Sequence, residues 1–207
     1  MKRIFLLTGI LLLSLTGVAR AEVAPEDLVR QAADQILVEI KAHRALYAKD
    51  YAKLYKMAEQ KVLPHFDFRR MAQWVLGRSW KDATAQQRDR FTAEFRDLLV
   101  GTYSQALLNY EDLGIVYLPV LRKPDDTEVT VKTEVKQASG PNIPLHYSFY
   151  KNKDGAWKVY DITIEGVSLV TNYRSVYATK IRDKGMDALI TEIADSNKKK
   201  RLAGGNV

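Results

Sequence analysis

The sequence contains no cysteine, and this absence excludes several classes of protein. Without thiols the chain cannot be a disulfide-stabilised scaffold, a thiol-dependent enzyme or a protein with a thiolate metal site. Histidine is scarce as well, since only His43, His65 and His146 occur. They are far apart in the sequence and match no local metal-binding spacing, so we interpret each as a surface or hydrogen-bonded structural residue.

The signature motifs of common enzymes are also missing. The sequence has no P-loop, no G-x-G-x-x-G string and no H-E-x-x-H string, and residues 166–170 lack the second glycine of a nucleophile elbow. We therefore predict that the chain is not an enzyme. One catalytic alternative stays open, because a cone-shaped pocket could use Asp161 as a base with Tyr147 or Tyr160 as a hydrogen-bond donor. Asp161 could equally cap a turn or pair with an arginine.

The positive charge of the chain is confined to its two ends. Basic residues exceed acidic ones by seven; residues 1–21 hold three of the basic residues and residues 198–201 hold four, with no acidic residue in either stretch. Residues 22–197 therefore carry no net charge. A neutral body gains little from counterion release, so we expect no nucleic-acid partner. We interpret residues 198–207 as a basic, disordered tail.

One long apolar run lies at the N-terminus. Lys2 and Arg3 precede apolar residues 4–15, and small residues follow at positions 19 and 21. This pattern predicts that residues 1–21 are a cleavable signal peptide and that the protein is exported. About twelve apolar residues form a helix of about 18 Å, which is shorter than the membrane core of about 30 Å. We expect no stable membrane insertion.

The mature chain changes its hydrophobic period near residue 110. Apolar residues first recur every three or four positions, which predicts four helices, with N-caps at Asp50, Asp67 and Thr84 and a stop at Gly77. Alternation between residues 115 and 164 then predicts a meander of about four antiparallel strands. A helix over residues 168–184 and a short helix over 186–195 follow. We predict a single α+β domain over residues 22–197, in which long helices pack on a curved antiparallel sheet and enclose an apolar pocket.

Several segments resemble the MlaC family, also called the toluene-tolerance auxiliary family. They are residues 66–72, 74–77, 87–103, 157–161 and 164–170, in family order over nearly the whole mature chain, and the Gly-Val-Ser string at 166–168 is the most specific. The resemblance implies a periplasmic phospholipid carrier that shuttles lipid between the outer membrane and an inner-membrane ABC transporter complex, which maintains outer-membrane lipid asymmetry. It implies bound phospholipid as cargo, no cofactor, and two protein partners. These are an inner-membrane MCE-domain protein with its ABC transporter complex, and an outer-membrane lipoprotein/porin complex.

The resemblance also turns candidate core residues into candidate lipid-binding residues. Periodicity alone would assign these side chains to an ordinary core. If family members hold acyl chains between helices and sheet, the expected lining is Met71, Val75, Phe95, Leu99, Tyr103, Tyr147, Phe149, Val159, Val167 and Leu169. Arg69, Arg70 and Arg78 could lie at the pocket mouth, but we favour a role in solvating the third helix. A periplasmic adaptor or chaperone that binds apolar protein segments remains a further alternative.

Overall fold

Seven helices and five strands make up the described part of the chain, residues 23–109 and 114–202 of the computed structural model. The helices are α1 (Pro25–Lys49), α2 (Tyr51–Lys61), α3 (Phe68–Leu76), α4 (Ser79–Asp82), α5 (Ala85–Asn109), α6 (Leu169–Lys184) and α7 (Met186–Leu202), with a 3-10 turn at Leu63–His65. The strands are β1 (Ile115–Tyr117), β2 (Glu128–Val135), β3 (Ile143–Lys151), β4 (Trp157–Ile164) and β5 (Val167–Ser168). This is the predicted α+β domain.

Local capping fixes the ends of the helices that come before the sheet. Asp50 and Asp67 each accept a hydrogen bond from the backbone N–H three residues later, at 3.2 and 2.8 Å. Thr84 and Gln87 form a reciprocal capping box, with distances of 3.1 and 2.9 Å. Gly77 ends α3 with a φ of +54°, a backbone conformation that favours glycine. These boundaries confirm the predicted caps and the predicted stop.

The strands form one antiparallel meander in the order β1-β2-β3-β4-β5. The register shifts between β3 and β4, where Ser148 faces Asp161 but Phe149 faces Val159. Tyr160 is therefore the extra residue of a β-bulge. A bulge bends its strand and increases the local twist, which curves the sheet under the helices.

The structure differs from the predicted elements at three places. β1 ends at Tyr117, whereas the prediction continued to residue 121, and the two-residue strand β5 was not predicted. The single turn α4 was missed as well. Such short elements contain too few residues to display a period, so a pattern of apolar residues cannot reveal them.

The predicted disordered tail is wrong for residues 198–202, which continue α7. The buried Asn197 side chain donates from Nδ2 to the Glu94 carbonyl at 2.9 Å and to the Glu94 carboxylate at 2.8 Å. Lys200 Nζ donates to Thr102 Oγ1 at 3.0 Å. These contacts with α5 hold the end of the helix in place. The predicted signal peptide and residues 203–207 lie outside the described residues.

Three clusters of buried apolar residues surround the space between helices and sheet. The largest joins α3, α5, α6 and α7; a second joins Val29 of α1 to the sheet; a third joins α1, α2 and α5. Within residues 23–109 and 114–202, no helix has both the length and the apolar character needed to cross a bilayer.

Candidate functional site: an apolar cavity under helix α1

A cavity of about 760 Å³ lies between the sheet, α1 and the C-terminal half of α5. Ligand pockets in proteins span about 300–1,000 Å³, so this volume suits a sizeable ligand. Its walls are almost entirely aliphatic and aromatic. The sheet contributes Ile115, Val135, Ile143, Leu145, Tyr147, Phe149, Val159, Ile162 and Ile164.

Helix α1 forms the wall opposite the sheet. Its apolar residues recur at three- and four-residue intervals, so they share one face of the helix. That face contributes Leu28, Val29, Ala32, Ala33, Ile36, Leu37 and Ile40. The helix departs from helical geometry at His43, and the wall lies entirely before this point. The sequence prediction missed α1 as a wall, although its apolar stripe was visible, because a stripe does not show whether solid packing or a void lies opposite.

The bulge at Tyr160 determines which residues of β4 face the cavity. A regular strand would place Val159 and Asp161 on the same face. The extra residue reverses this alternation, so that Ile162 pairs with Tyr147 on the cavity side while Asp161 pairs with Ser148 on the other side. The apolar spacing of three between residues 159 and 162 was the sequence signal for this change.

Seven of the ten expected lining residues do surround the cavity. They are Met71, Leu99, Tyr103, Tyr147, Phe149, Val159 and Leu169. They come from α3, α5, β3, β4 and the start of α6, and the fold brings them together although they span about half of the chain.

Three of the expected lining residues do not border the cavity in this structure. Val75 is 1% exposed and packs in the cluster between the helices. Phe95 is fully buried there, stacked on Phe91 with ring centroids 5.6 Å apart and in edge contact with Tyr173 at 5.2 Å. Val167 is 54% exposed on the two-residue strand β5. Helix α6 fills the space that Val75 and Phe95 would otherwise face.

Burial favours the uncharged form of the tyrosine and histidine side chains in the cavity wall. Burial raises the pKa of Tyr147 to about 12, and its hydroxyl lies in hydrogen-bond contact with Thr133. Burial also raises the pKa of Tyr103. For His65, burial lowers the pKa, and the neighbouring Lys158 ammonium lowers it further. A wall of this kind favours apolar ligand atoms over charged ones.

The candidate catalytic dyad is not assembled. The Ser168 hydroxyl donates to Asp161 Oδ2, and the Val170 backbone N–H donates to Oδ1 at 3.0 Å. The carboxylate thus holds the start of α6, on the face of the sheet opposite Tyr147. The Tyr160 ring contacts Trp74 in a tilted geometry and Tyr150 edge-on. Among the described residues, no group of three or more His, Asp or Glu side chains could hold a metal ion.

The basic residues of α3 lie away from the cavity. Arg69 pairs with Asp89 at 2.6 Å, while Arg70 pairs with Glu128 at 3.2 Å and lies 3.8 Å above the Tyr150 ring. Neither arginine lines the cavity. The exposed Arg69 fits the interpretation that these residues solvate the third helix, whereas Arg70 is half-buried against Tyr150.

Comparison with known proteins supports a family assignment. The chain is 31% identical to the intermembrane phospholipid transport system binding protein MlaC of Haemophilus influenzae over 194 residues, which covers 93% of this chain and 89% of that protein. It is 25% identical to the toluene tolerance protein ttg2D of Pseudomonas putida over 164 residues, covering 79% of this chain and 75% of that protein.

A solved structure shows the same fold. The phospholipid-binding protein from Ralstonia solanacearum, determined in complex with a phospholipid, superimposes with a TM-score of 0.79. It is 32% identical to this chain, and the match covers 86% of this chain and 98% of that one. In addition, the family model described as MlaC protein matches residues 30–195. Fold, sequence and family model agree, and the chain belongs to the MlaC family.

Proposed function

We propose that this protein is a periplasmic phospholipid carrier that encloses acyl chains in the cavity under α1. The observation that carries the proposal is the cavity itself, about 760 Å³ in volume, with walls of aliphatic and aromatic side chains. The relatives support it, because one is named for phospholipid transport and another was solved with a phospholipid bound. The seven cavity-lining residues among the predicted ten are proposed to contact the lipid.

The free energy of hiding an acyl chain explains why such a carrier is needed. Each buried methylene group is worth about 0.8 kcal/mol, so a sixteen-carbon chain represents about 12 kcal/mol. A free lipid therefore does not cross water at a useful rate. The same energy makes release from the carrier into water very slow. Delivery requires a docked partner that offers a continuous apolar path or opens the cavity.

The proposed partners lie at the two membranes. On the inner membrane we place an MCE-domain protein with its ABC transporter complex, and on the outer membrane a lipoprotein/porin complex. The name of the Haemophilus relative supports a transport system between membranes, and the predicted signal peptide supports export to the periplasm. A passive carrier only equilibrates lipid between its partners, so the energised transporter sets the direction.

The enzyme alternative is not favoured. The relatives are named for lipid binding, transport and toluene tolerance, and the carboxylate that could have acted as a base is bonded to Ser168 and to the start of α6. The proposed function requires no cofactor, since the chemistry is the burial of apolar surface.

Mass spectrometry of the protein tests the proposal against its alternatives. The protein is isolated from cells without detergent, and its bound molecules are extracted and identified. Stoichiometric phospholipid supports the carrier; a small polar metabolite would support an enzyme, and apolar peptides would support a chaperone. A loaded sample is then diluted into buffer without vesicles or partners. Release within seconds would contradict the proposed retention.

A further inference from the structure

The cavity has an identifiable mouth. Most of its lining residues are buried or half-buried, but a few are exposed to solvent: Ala106 near the end of α5 and residues 136–139, the first part of the β2–β3 turn. The opposite end lies against the cluster in which Val29 packs with Phe149 and Trp157. The cavity therefore runs from a polar, water-facing end to a buried apolar end.

The rim, defined as residues 136–139, is held by backbone and side-chain hydrogen bonds. The Lys136 N–H donates to the Gly114 carbonyl at 3.1 Å, which ties the rim to the start of β1. The side-chain amide of Gln137 donates from Nε2 to the Pro141 carbonyl at 3.0 Å across the turn. The rim is thus an anchored part of the cavity wall, and the backbone from which the Lys136 side chain extends is fixed at the mouth.

The charge of the cavity lining is concentrated at its exposed end. Among the described residues that line the cavity, Lys136 is the only Lys, Arg, Asp or Glu, and it lies in the rim. A phospholipid has matching asymmetry, because its phosphate lies directly next to the esterified acyl chains. A single ammonium group at the mouth would attract that phosphate whatever alcohol is attached beyond it.

We propose that the rim binds the phosphate of the cargo, with the Lys136 ammonium as counter-charge and the acyl chains directed toward Phe149 and Trp157. The inference rests on the proposed function and adds the part of the mouth at which the phosphate lies and a residue that selects for phosphate. It defines the ligand class as amphiphiles with an anionic phosphate next to acyl chains, without further selection among headgroups. An exposed ion pair of this kind changes an equilibrium only about twofold to fivefold, so it orients the lipid more than it retains it.

Charge reversal at the mouth tests the selection. Lys136→Glu is compared with Lys132→Glu, which makes the same change of net charge four residues earlier, on β2, at an exposed position outside the cavity lining. Each protein is incubated with vesicles that contain phosphatidylglycerol and a diacylglycerol with identical acyl chains, and the bound lipids are quantified by mass spectrometry. We expect Lys136→Glu to lower the bound ratio of phosphatidylglycerol to diacylglycerol about fivefold, and Lys132→Glu to leave it unchanged.

An equal change in both variants, or no change in either, would overturn the role of Lys136. Lys136→Gln provides a milder version should the reversal impair folding, which circular dichroism detects. If the wild-type protein takes up neither lipid, the proposed function itself fails, and this outcome is distinct from a failure of the rim.

Fluorescence quenching tests the orientation independently. Because the chain has no cysteine, Ser139→Cys in the rim and Asp154→Cys in the turn at the other end of the sheet can each carry a single label. A lipid with a nitroxide on its headgroup should quench the label at position 139 severalfold more strongly than the label at 154. Equal quenching, or stronger quenching at 154, would overturn the proposed orientation.

Discussion

The carboxylate of Asp161 binds the Ser168 hydroxyl through Oδ2, with an oxygen–oxygen distance of 2.5 Å. Its other oxygen accepts the backbone N–H of Val170. Ser168 in turn accepts the N–H of Thr171 and caps α6. A short polar connection thus ties the outer face of β4 to the start of the helix that follows it.

Replacing this carboxylate should affect stability before it affects ligand binding. We expect Asp161→Ala to lower the free energy of unfolding by about 1–3 kcal/mol, because the variant loses hydrogen bonds to a charged group and a negative charge at a helix N-terminus. Urea denaturation measures the change. Asp161→Asn keeps one acceptor oxygen and should recover part of the loss. If Asp161→Ala kept full stability but lost activity on a small substrate, Asp161 would have a catalytic role.

Local features of this fold could be predicted from the sequence, because their causes lie within a few residues. Asp50, Asp67 and Thr84 cap helices through hydrogen bonds to backbone N–H groups three residues later. Gly77 ends its helix because glycine readily adopts a positive φ. The alternation of β2 and β3 likewise reports which face of the sheet is apolar. Caps, stops and apolar alternation therefore predict the helices and strands and the face of each that is buried.

The distinction between core and cavity could not be predicted in this way. Phe95 and Leu99 lie one turn apart on the same stripe of α5, yet Tyr173 packs against Phe95 while Leu99 borders the void. What lies opposite a residue depends on the path of distant segments, which periodicity does not encode. The same limit applies to Val167, which lies in a segment with strong family resemblance but is exposed and does not border the cavity.

The exposed position of Val167 leads to a prediction opposite to that for a lining residue. We expect Val167→Glu to change the stability by less than about 0.5 kcal/mol and to leave the amount of bound lipid unaltered, because the new charge remains in water. Ile164→Glu, three residues earlier on the cavity wall, should sharply reduce bound lipid because a carboxylate would replace apolar wall. Lipid analysis of both purified variants makes the comparison. Loss of lipid from Val167→Glu alone would place this side chain in contact with cargo.

Filling the cavity should separate lipid binding from folding. Ala33 lies on the cavity face of α1, and Ala45 is exposed on the same helix. We expect Ala33→Trp to reduce bound phospholipid at least about fivefold while destabilising the fold by no more than about 1–3 kcal/mol, since the large ring enters space that is already vacant. Ala45→Trp adds the same side chain outside the cavity and should retain lipid. Thermal unfolding and lipid extraction measure the two effects, and full lipid occupancy in Ala33→Trp would show that the acyl chains lie elsewhere.

The buried phenol of Tyr147 predicts a loss of stability at high pH. Its pKa is raised to about 12 by burial, whereas a tyrosine in the unfolded chain titrates near pH 10. The contribution of this group is complete below pH 10, and it falls as the pH rises toward 12, because above pH 10 the unfolded chain releases a proton that the folded chain retains. The slope for one such group is at most about 1.4 kcal/mol per pH unit. Urea denaturation at pH 9 and pH 11 should therefore show a smaller loss for Tyr147→Phe than for the wild type. Equal losses would mean that the phenol ionises within the folded protein, and that water reaches the wall of the cavity at this point.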